Sequence, residues 1–153
     1  LLLFMIRNLQ IKQKEGNMDQ AMKQAIETYK TKIIEDYEKF NTGSHKGLYK
    51  DTIAQNPEYE KEVMQRANER LEEFKKGLSF VETKYYYKFV KANGTQKSVH
   101  SFIVKEDKEI RRKHWKKGDI LFCASFNQPA LNRPRGNIFG NYIIKWTGPL
   151  YLR

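Results

Sequence analysis

The stretch Lys84-Tyr85-Tyr86-Tyr87-Lys88-Phe89-Val90-Lys91, followed by Asn93-Gly94 and then Ser98-Val99-His100-Ser101-Phe102-Ile103-Val104, decides the fold. Both arms are rich in aromatic and β-branched residues, which suit a pleated, half-buried surface. Asn-Gly between two such arms is the strongest short-range signal for a hairpin. The stretch therefore predicts two antiparallel strands, 84–91 and 98–104. Successive strand side chains point to opposite faces, so Tyr86 should oppose Tyr85 and Tyr87. One such face could stack nucleobases on a basic sheet. The stronger expectation is that it packs beneath helices, because two helices precede it and need a sheet to cover.

Upstream, Met22, Ile26, Tyr29, Ile33, Tyr37 and Phe40 recur every three or four residues and form one apolar stripe. The loop-like composition Asn41-Thr42-Gly43-Ser44 predicts the end of this helix, and a polar connection runs on to Asn56. A second helix is marked by Asn56 as N-cap, Pro57 at the first position and Glu58 and Glu60 near the positive end of the dipole. Its stripe is Tyr59, Val63, Ala67, Leu71, Phe74 and Leu78, with Gly77 as its stop. Downstream, Ile120-Leu121-Phe122-Cys123-Ala124-Ser125 and Asn141-Tyr142-Ile143-Ile144-Lys145-Trp146 read as third and fourth strands. A loop over 127–136, with two prolines and a glycine, separates them.

These elements predict an α+β chain, with an N-terminal helical hairpin over 18–82 packed on a small, basic antiparallel β-domain over 83–153. Positions 1–17 are expected to be a non-native translated leader or disordered: Lys14-Glu15-Gly16-Asn17 requires purine-rich codons, which resemble a ribosome-binding site just before Met18.

The 153 residues carry enough apolar material, 39%, for one small core. The single Cys123 excludes an internal disulfide and makes a reducing compartment the default. No apolar run approaches the length of a membrane span. No phosphate-binding glycine loop or nucleophile elbow occurs, and His45, His100 and His114 lack metal-ligand spacing. No catalytic residue, metal or cofactor is implied; Cys123 and His100 could pair as a nucleophile only through tertiary contact.

The charge distribution carries the functional signal. Positions 1–83 hold 14 Lys and Arg against 14 Asp and Glu, whereas 84–153 hold 15 against 4, so the whole net charge of +11 lies in the second half. A one-sign field attracts polyanions. The densest cluster is Arg111-Arg112-Lys113-His114-Trp115-Lys116-Lys117, read as a flexible connection in which cations grip phosphates and Trp115 stacks on a base or sugar. The second is Asn132-Arg133-Pro134-Arg135-Gly136-Asn137, where Arg133 and Arg135 would offer planar forks on a restrained backbone. The nucleic-acid-binding candidates are thus Arg111, Arg112, Lys113, Trp115, Lys116, Lys117, Arg133 and Arg135. With only four acids in this half, internal pairing should not absorb most of the charge.

Ser98-Val99-His100-Ser101-Phe102, Lys117-Gly118-Asp119-Ile120-Leu121, Ala124-Ser125-Phe126, Pro129-Ala130, Arg135-Gly136-Asn137-Ile138-Phe139 and Trp146-Thr147-Gly148-Pro149-Leu150-Tyr151-Leu152 together resemble a group of small bacteriophage proteins of unassigned function. The resemblance implies a phage origin and the host cytoplasm as location, not a mechanism. Gly47-Leu48-Tyr49-Lys50-Asp51-Thr52-Ile53, with Glu60 eleven residues beyond Tyr49, is similar to a segment of phage S-adenosylmethionine lyases, although that family's N-terminal strand has no counterpart here. The favoured reading is a non-enzymatic phage accessory protein whose partner is nucleic acid, DNA or RNA, bound through the basic half. An inhibitor of a host defence protein with an acidic surface, a virion component and an S-adenosylmethionine-degrading enzyme are the alternatives. Membrane partners are not expected, and homo-oligomerisation stays open.

Overall fold

The alternating stretch forms the centre of a four-stranded antiparallel sheet, with two long helices against it, so the architecture is α+β. The structure is a computed structural model that describes residues 1–3, 5 and 18–151. Of the leader expected over 1–17, all but positions 1–3 and 5 lie outside the described residues. The elements are α1 (Gln20–Leu48), α2 (Lys50–Gln55), α3 (Tyr59–Gly77), β1 (Leu78–Glu82), β2 (Tyr86–Asn93), β3 (Gln96–Val104), β4 (Lys108–Ile110), β5 (Lys113–Trp115), β6 (Ile120–Leu121), β7 (Ile144–Lys145) and β8 (Gly148–Pro149). The main sheet has the order β1-β2-β3-β6.

Helix α1 runs through the stretch expected to end it. Asn41 is buried, and its side-chain amide donates to the Ala67 carbonyl of α3 at 2.7 Å. It is therefore a packing residue between two helices rather than a stop. Gly43 and Gly47 lie on open surface within the helix, where glycine costs about 1 kcal/mol relative to alanine and is outweighed by the tertiary contacts on the opposite face. Tyr37 stacking on Phe74 and Asn41 meeting Ala67 make α1 and α3 antiparallel, as the helical hairpin requires. Helix α3 begins at Tyr59 rather than at the expected Asn56-Pro57, because Asn56 closes the short helix α2. Its Val63, Ala67 and Leu71 are buried as the stripe predicts.

Gly77 ends α3, but for a different reason than expected. The chain passes directly into β1 at Leu78, a strand the sequence left inside the helix. A Cβ at Gly77 would run into the Ala92 backbone of β2, so the glycine permits close approach of helix end and sheet. Strands β2 and β3 pair from Tyr86↔Val104 to Asn93↔Gln96. The hairpin loop is Gly94-Thr95, one residue later than Asn-Gly, and Gly94 has φ 62°. Glycine at the first central position is the type II′ pattern, whose twist matches the flanking strands.

The sheet is covered on both faces. On one, Met22, Ile26, Tyr29 and Ile33 of α1 meet Tyr87, Phe89 and Ile103. On the other, Phe102 and Leu121 pack with Val104 and Trp115. Each such large side chain contributes about 1.5–3 kcal/mol by leaving water. The aromatic strand is thus spent on packing: Tyr87 and Phe89 are buried beneath α1 and Tyr86 packs on Phe102, while Tyr85, ahead of the strand, is 41% exposed.

The third and fourth expected strands are much shorter than 120–125 and 141–146. Only Ile120 and Leu121 join the sheet, and the loop expected over 127–136 folds back along their other edge. Arg135 donates its backbone N–H to the Ile120 carbonyl, and Ala130 donates to Phe122. Ile144 and Lys145 pair with Gly148 and Pro149, outside the main sheet. The Asp36 carboxylate of α1 accepts the Trp146 backbone N–H at 2.8 Å and holds this segment against the helix.

Candidate nucleic-acid interface

The cluster 111–117 is not a flexible connection. Lys108↔Trp115, Glu109↔His114 and Ile110↔Lys113 pair as an antiparallel hairpin, leaving Arg111-Arg112 as its two-residue turn. Both arginines have positive φ, 52° and 63°. That is the type I′ pattern, which matches strand twist and favours Asn-Gly. A non-glycine residue in this region costs roughly 1–2 kcal/mol, and such strain persists only where the surroundings enforce it. Here the enforcement is β4–β5 pairing plus Trp115, which is only 2% exposed and packs with Phe102, Val104 and Leu121. Trp115 therefore anchors the hairpin and offers no ring for base stacking. Arg111 and Arg112 project at the exposed tip and pair with no acid among the described residues.

Asn132 joins the two basic elements that the sequence presented separately. Its backbone carbonyl accepts from Lys113 Nζ at 2.9 Å. Its side-chain oxygen accepts from the Arg133 backbone N–H at 2.8 Å and from Arg135 Nη1 at 3.3 Å. Arg133 is exposed, whereas Arg135 is half-buried and turned inward. The Arg135 guanidinium also donates to the Arg133 carbonyl and lies over the Phe122 ring. Burial, reinforced by the Arg133 charge, pushes its pKa below the ordinary guanidinium value. Arg135 thus shapes the loop rather than presenting a free fork.

Lys116 is exposed, with its backbone N–H held by the Asp119 carboxylate at 2.8 Å. Lys117 is withdrawn from the cluster: its ammonium meets Asp19, the N-cap of α1, at 2.7 Å. This pair raises the Lys117 pKa and lowers that of Asp19. The expectation that pairing cannot absorb the basic half counted only that half's own acids. Asp19, Asp36 and Glu82 of the first half in fact pair with Lys117, Lys145 and Lys105. What remains exposed and brought together is Arg111 and Arg112 at the tip, with Lys113 and Arg133 around Asn132.

The base of the hairpin is locked by Asp119 and Asn137. Asn137 donates to the Asp119 carboxylate at 3.0 Å and to the Lys117 carbonyl at 2.9 Å. Between them Gly118 has φ 87°, and a Cβ there would sit 2.5 Å from the Phe139 ring. Gly118→Ala is accordingly expected to destabilise the fold by about 2 kcal/mol or more, combining backbone strain with the displaced ring. Chemical denaturation measures this; a loss under about 0.5 kcal/mol would show that the turn relaxes freely.

His100 and Cys123 form no nucleophile pair. His100 donates its Nε2–H to the Lys145 carbonyl at 2.8 Å, while its Nδ1 accepts from Ser101 Oγ at 2.8 Å. The Tyr29 hydroxyl donates in turn to Ser101 Oγ at 2.7 Å, and the Cys123 thiol donates to the Val99 carbonyl. The residues similar to S-adenosylmethionine lyases lie at the junction of α1 and α2, where Tyr49 packs edge-on against Tyr59; Glu60 is exposed. No protein-family model matches the chain, and no curated protein or solved structure matches it either.

The sequence missed the hairpin because strands of three residues, Lys108–Ile110 and Lys113–Trp115, are too short to show alternation beside so much charge. It missed Asn132 as the joint, since an asparagine before Arg-Pro reads only as a turn residue.

Proposed function

We propose that this chain is a non-enzymatic nucleic-acid-binding protein that grips the phosphate backbone with the tip of its basic hairpin and the adjoining loop. A role as a bacteriophage accessory protein rests on the resemblance of its C-terminal segments. The observation that supports the reading best is the turn itself. Two arginines occupy positive-φ positions where asparagine and glycine would be less strained, and both guanidiniums face solvent without an acid among the described residues. Strain retained at an exposed cationic tip is a reason to look for an anionic partner there. Burial of Trp115 and the inward turn of Arg135 argue against base reading at these residues. The contacts are to phosphate and should be tolerant of sequence.

If Arg111, Arg112, Lys113 and Arg133 each neutralise one phosphate of a duplex, log K should fall with log salt at a slope of about −3.6. Affinity then drops about a hundredfold between 50 and 200 mM salt. Fluorescence anisotropy on single- and double-stranded DNA and RNA measures it. No binding at low salt, or a flat dependence, overturns the proposal. Replacing Arg111→Asn together with Arg112→Gly should move two quantities in opposite directions. The protein should gain about 1 kcal/mol of stability, since the new pair takes the turn without strain. Binding should weaken, with its salt slope reduced by about two contacts. Unchanged binding would show that the arginines serve no phosphate.

A further inference from the structure

At the Asn93–Gln96 end of the central hairpin, between α1, α3 and Trp146, lies a cavity of about 640 Å³. We propose that this cavity is a binding site for a free mononucleotide, a planar nucleobase carrying a phosphate. It is independent of the basic hairpin. The nine residues of β3 run away from it to Val104, roughly 27 Å of strand, before the chain turns into β4.

The walls have the form a planar ring requires. Tyr37 and Phe74 stack face to face at 4.0 Å and 11°, and Trp146 stands edge-on to Tyr37 at 5.3 Å. Phe40 lies 5.0 Å from Trp146, tilted by 33°, yet is 53% exposed. An aromatic cluster is thus assembled and left open along Phe40 and Trp146, where a base gains stacking with no constraint on its sequence identity. The volume falls in the range of small-molecule sites.

The charges at the same place select an anion. Lys91 is half-buried, and its ammonium donates one hydrogen bond, to the Trp146 carbonyl at 3.3 Å. An ammonium has three donors, and no carboxylate pairs with Lys91 among the described residues. Burial accordingly pushes its pKa down. Arg70 and Lys97 line the cavity too, likewise without an ion pair among the described residues, against a single acid, Glu73. The Lys91 ammonium also lies over the Trp146 ring, 5.4 Å from its centroid, so a neutral aromatic ligand would leave it only that ring and one hydrogen bond, and a small inorganic anion would leave the rings unused. A nucleotide uses both.

Calorimetric titration of the intact protein with AMP, UMP, adenosine and inorganic phosphate tests this. AMP and UMP should bind, with adenosine and phosphate each at least about tenfold weaker, the worth of one charge-assisted hydrogen bond or one stacked base. Lys91→Met keeps the aliphatic stem and should weaken AMP about tenfold or more while leaving adenosine unchanged. Phe40→Ala, at a half-exposed position on the cavity rim, should weaken AMP and adenosine alike, with an unchanged melting transition showing that the variant is folded. Arg111→Asn with Arg112→Gly should leave AMP binding intact, which separates this site from the proposed phosphate-backbone surface. No heat with either nucleotide at millimolar concentration, adenosine binding as tightly as AMP, or AMP binding unaffected by both cavity variants would each overturn the assignment.

Discussion

Tyr29→Ala is expected to lower stability by about 4 kcal/mol, the typical cost of removing a fully buried aromatic ring. Tyr29 is 0% exposed at the point where α1 crosses the sheet. Its ring meets Phe89 edge-on at 4.9 Å and lies 5.6 Å from Tyr142 and 6.1 Å from His100. Removing it empties the space between helix and strand, which the surrounding β-sheet cannot collapse to fill. Against a total stability of roughly 5–15 kcal/mol for a domain of this kind, that loss is enough to populate the unfolded state. Tyr29→Phe keeps the ring and loses only the donor to Ser101, so it should cost about 1–2 kcal/mol. Urea unfolding of the two variants measures both. A loss below about 1 kcal/mol for the alanine variant would mean that the helix–sheet contact is not centred there.

Acid should destabilise the protein through His100. Burial, partly offset by the Lys145 carbonyl and reinforced by the nearby Lys91 charge, pushes its pKa from 6.5 down to about 4. The folded imidazole stays neutral where the unfolded one takes a proton. Stability is therefore complete above pH 6.5, falls as pH drops because the unfolded state binds the extra proton, and levels off below about pH 4. The full difference is about 3 kcal/mol. A protonated His100 would also present a second N–H to Ser101, reversing that hydrogen bond and leaving the Ser101 hydroxyl proton without its acceptor. Urea midpoints taken from pH 7 to pH 4 at constant ionic strength should show this slope, and His100→Asn should remove most of it. Equal slopes in both proteins would assign the acid sensitivity to other groups.

The parts legible in the sequence are those fixed by local periodicity. Met22, Ile26, Tyr29 and Ile33 bury the face their spacing predicts, and Tyr87 and Phe89 lie under the helix as the packing argument requires. The errors arise where a distant partner decides. Asn41 reads as a helix stop until Ala67 of α3 is seen to accept its amide hydrogen bond. Gly77 reads as a helix cap, although Ala92 is what excludes a side chain there. Segment 120–125 has strand composition throughout, but only Ile120 and Leu121 pair with β3, and a loop that returns from 130–135 lies along their other edge. For the candidate interface, composition located the positive charge but not its disposition. Lys117, Arg135 and Trp115 are consumed by Asp19, Asn132 and the core, each a contact no local pattern announces. The Lys91 cavity was invisible for the same reason, since its walls come from four separate elements and Trp146.

Coverage of the sheet on both faces has a consequence for synthesis. Strands β1, β2 and β3 follow one another as antiparallel neighbours directly after α3, so this meander can form from short-range contacts as soon as it is made. The residues that seal its second face, Trp115 and Leu121, and those that complete the first, Ile138 and Ile144, come later. Until they emerge, a nascent chain displays Phe102 and Val104 on one side and an incompletely roofed Phe89 and Ile103 on the other. Such a half-dressed ribbon is prone to edge pairing and aggregation. The last third of the chain thus acts as a late-docking clasp, and released chains that terminate near residue 110 should recruit chaperones far more strongly than full-length chains.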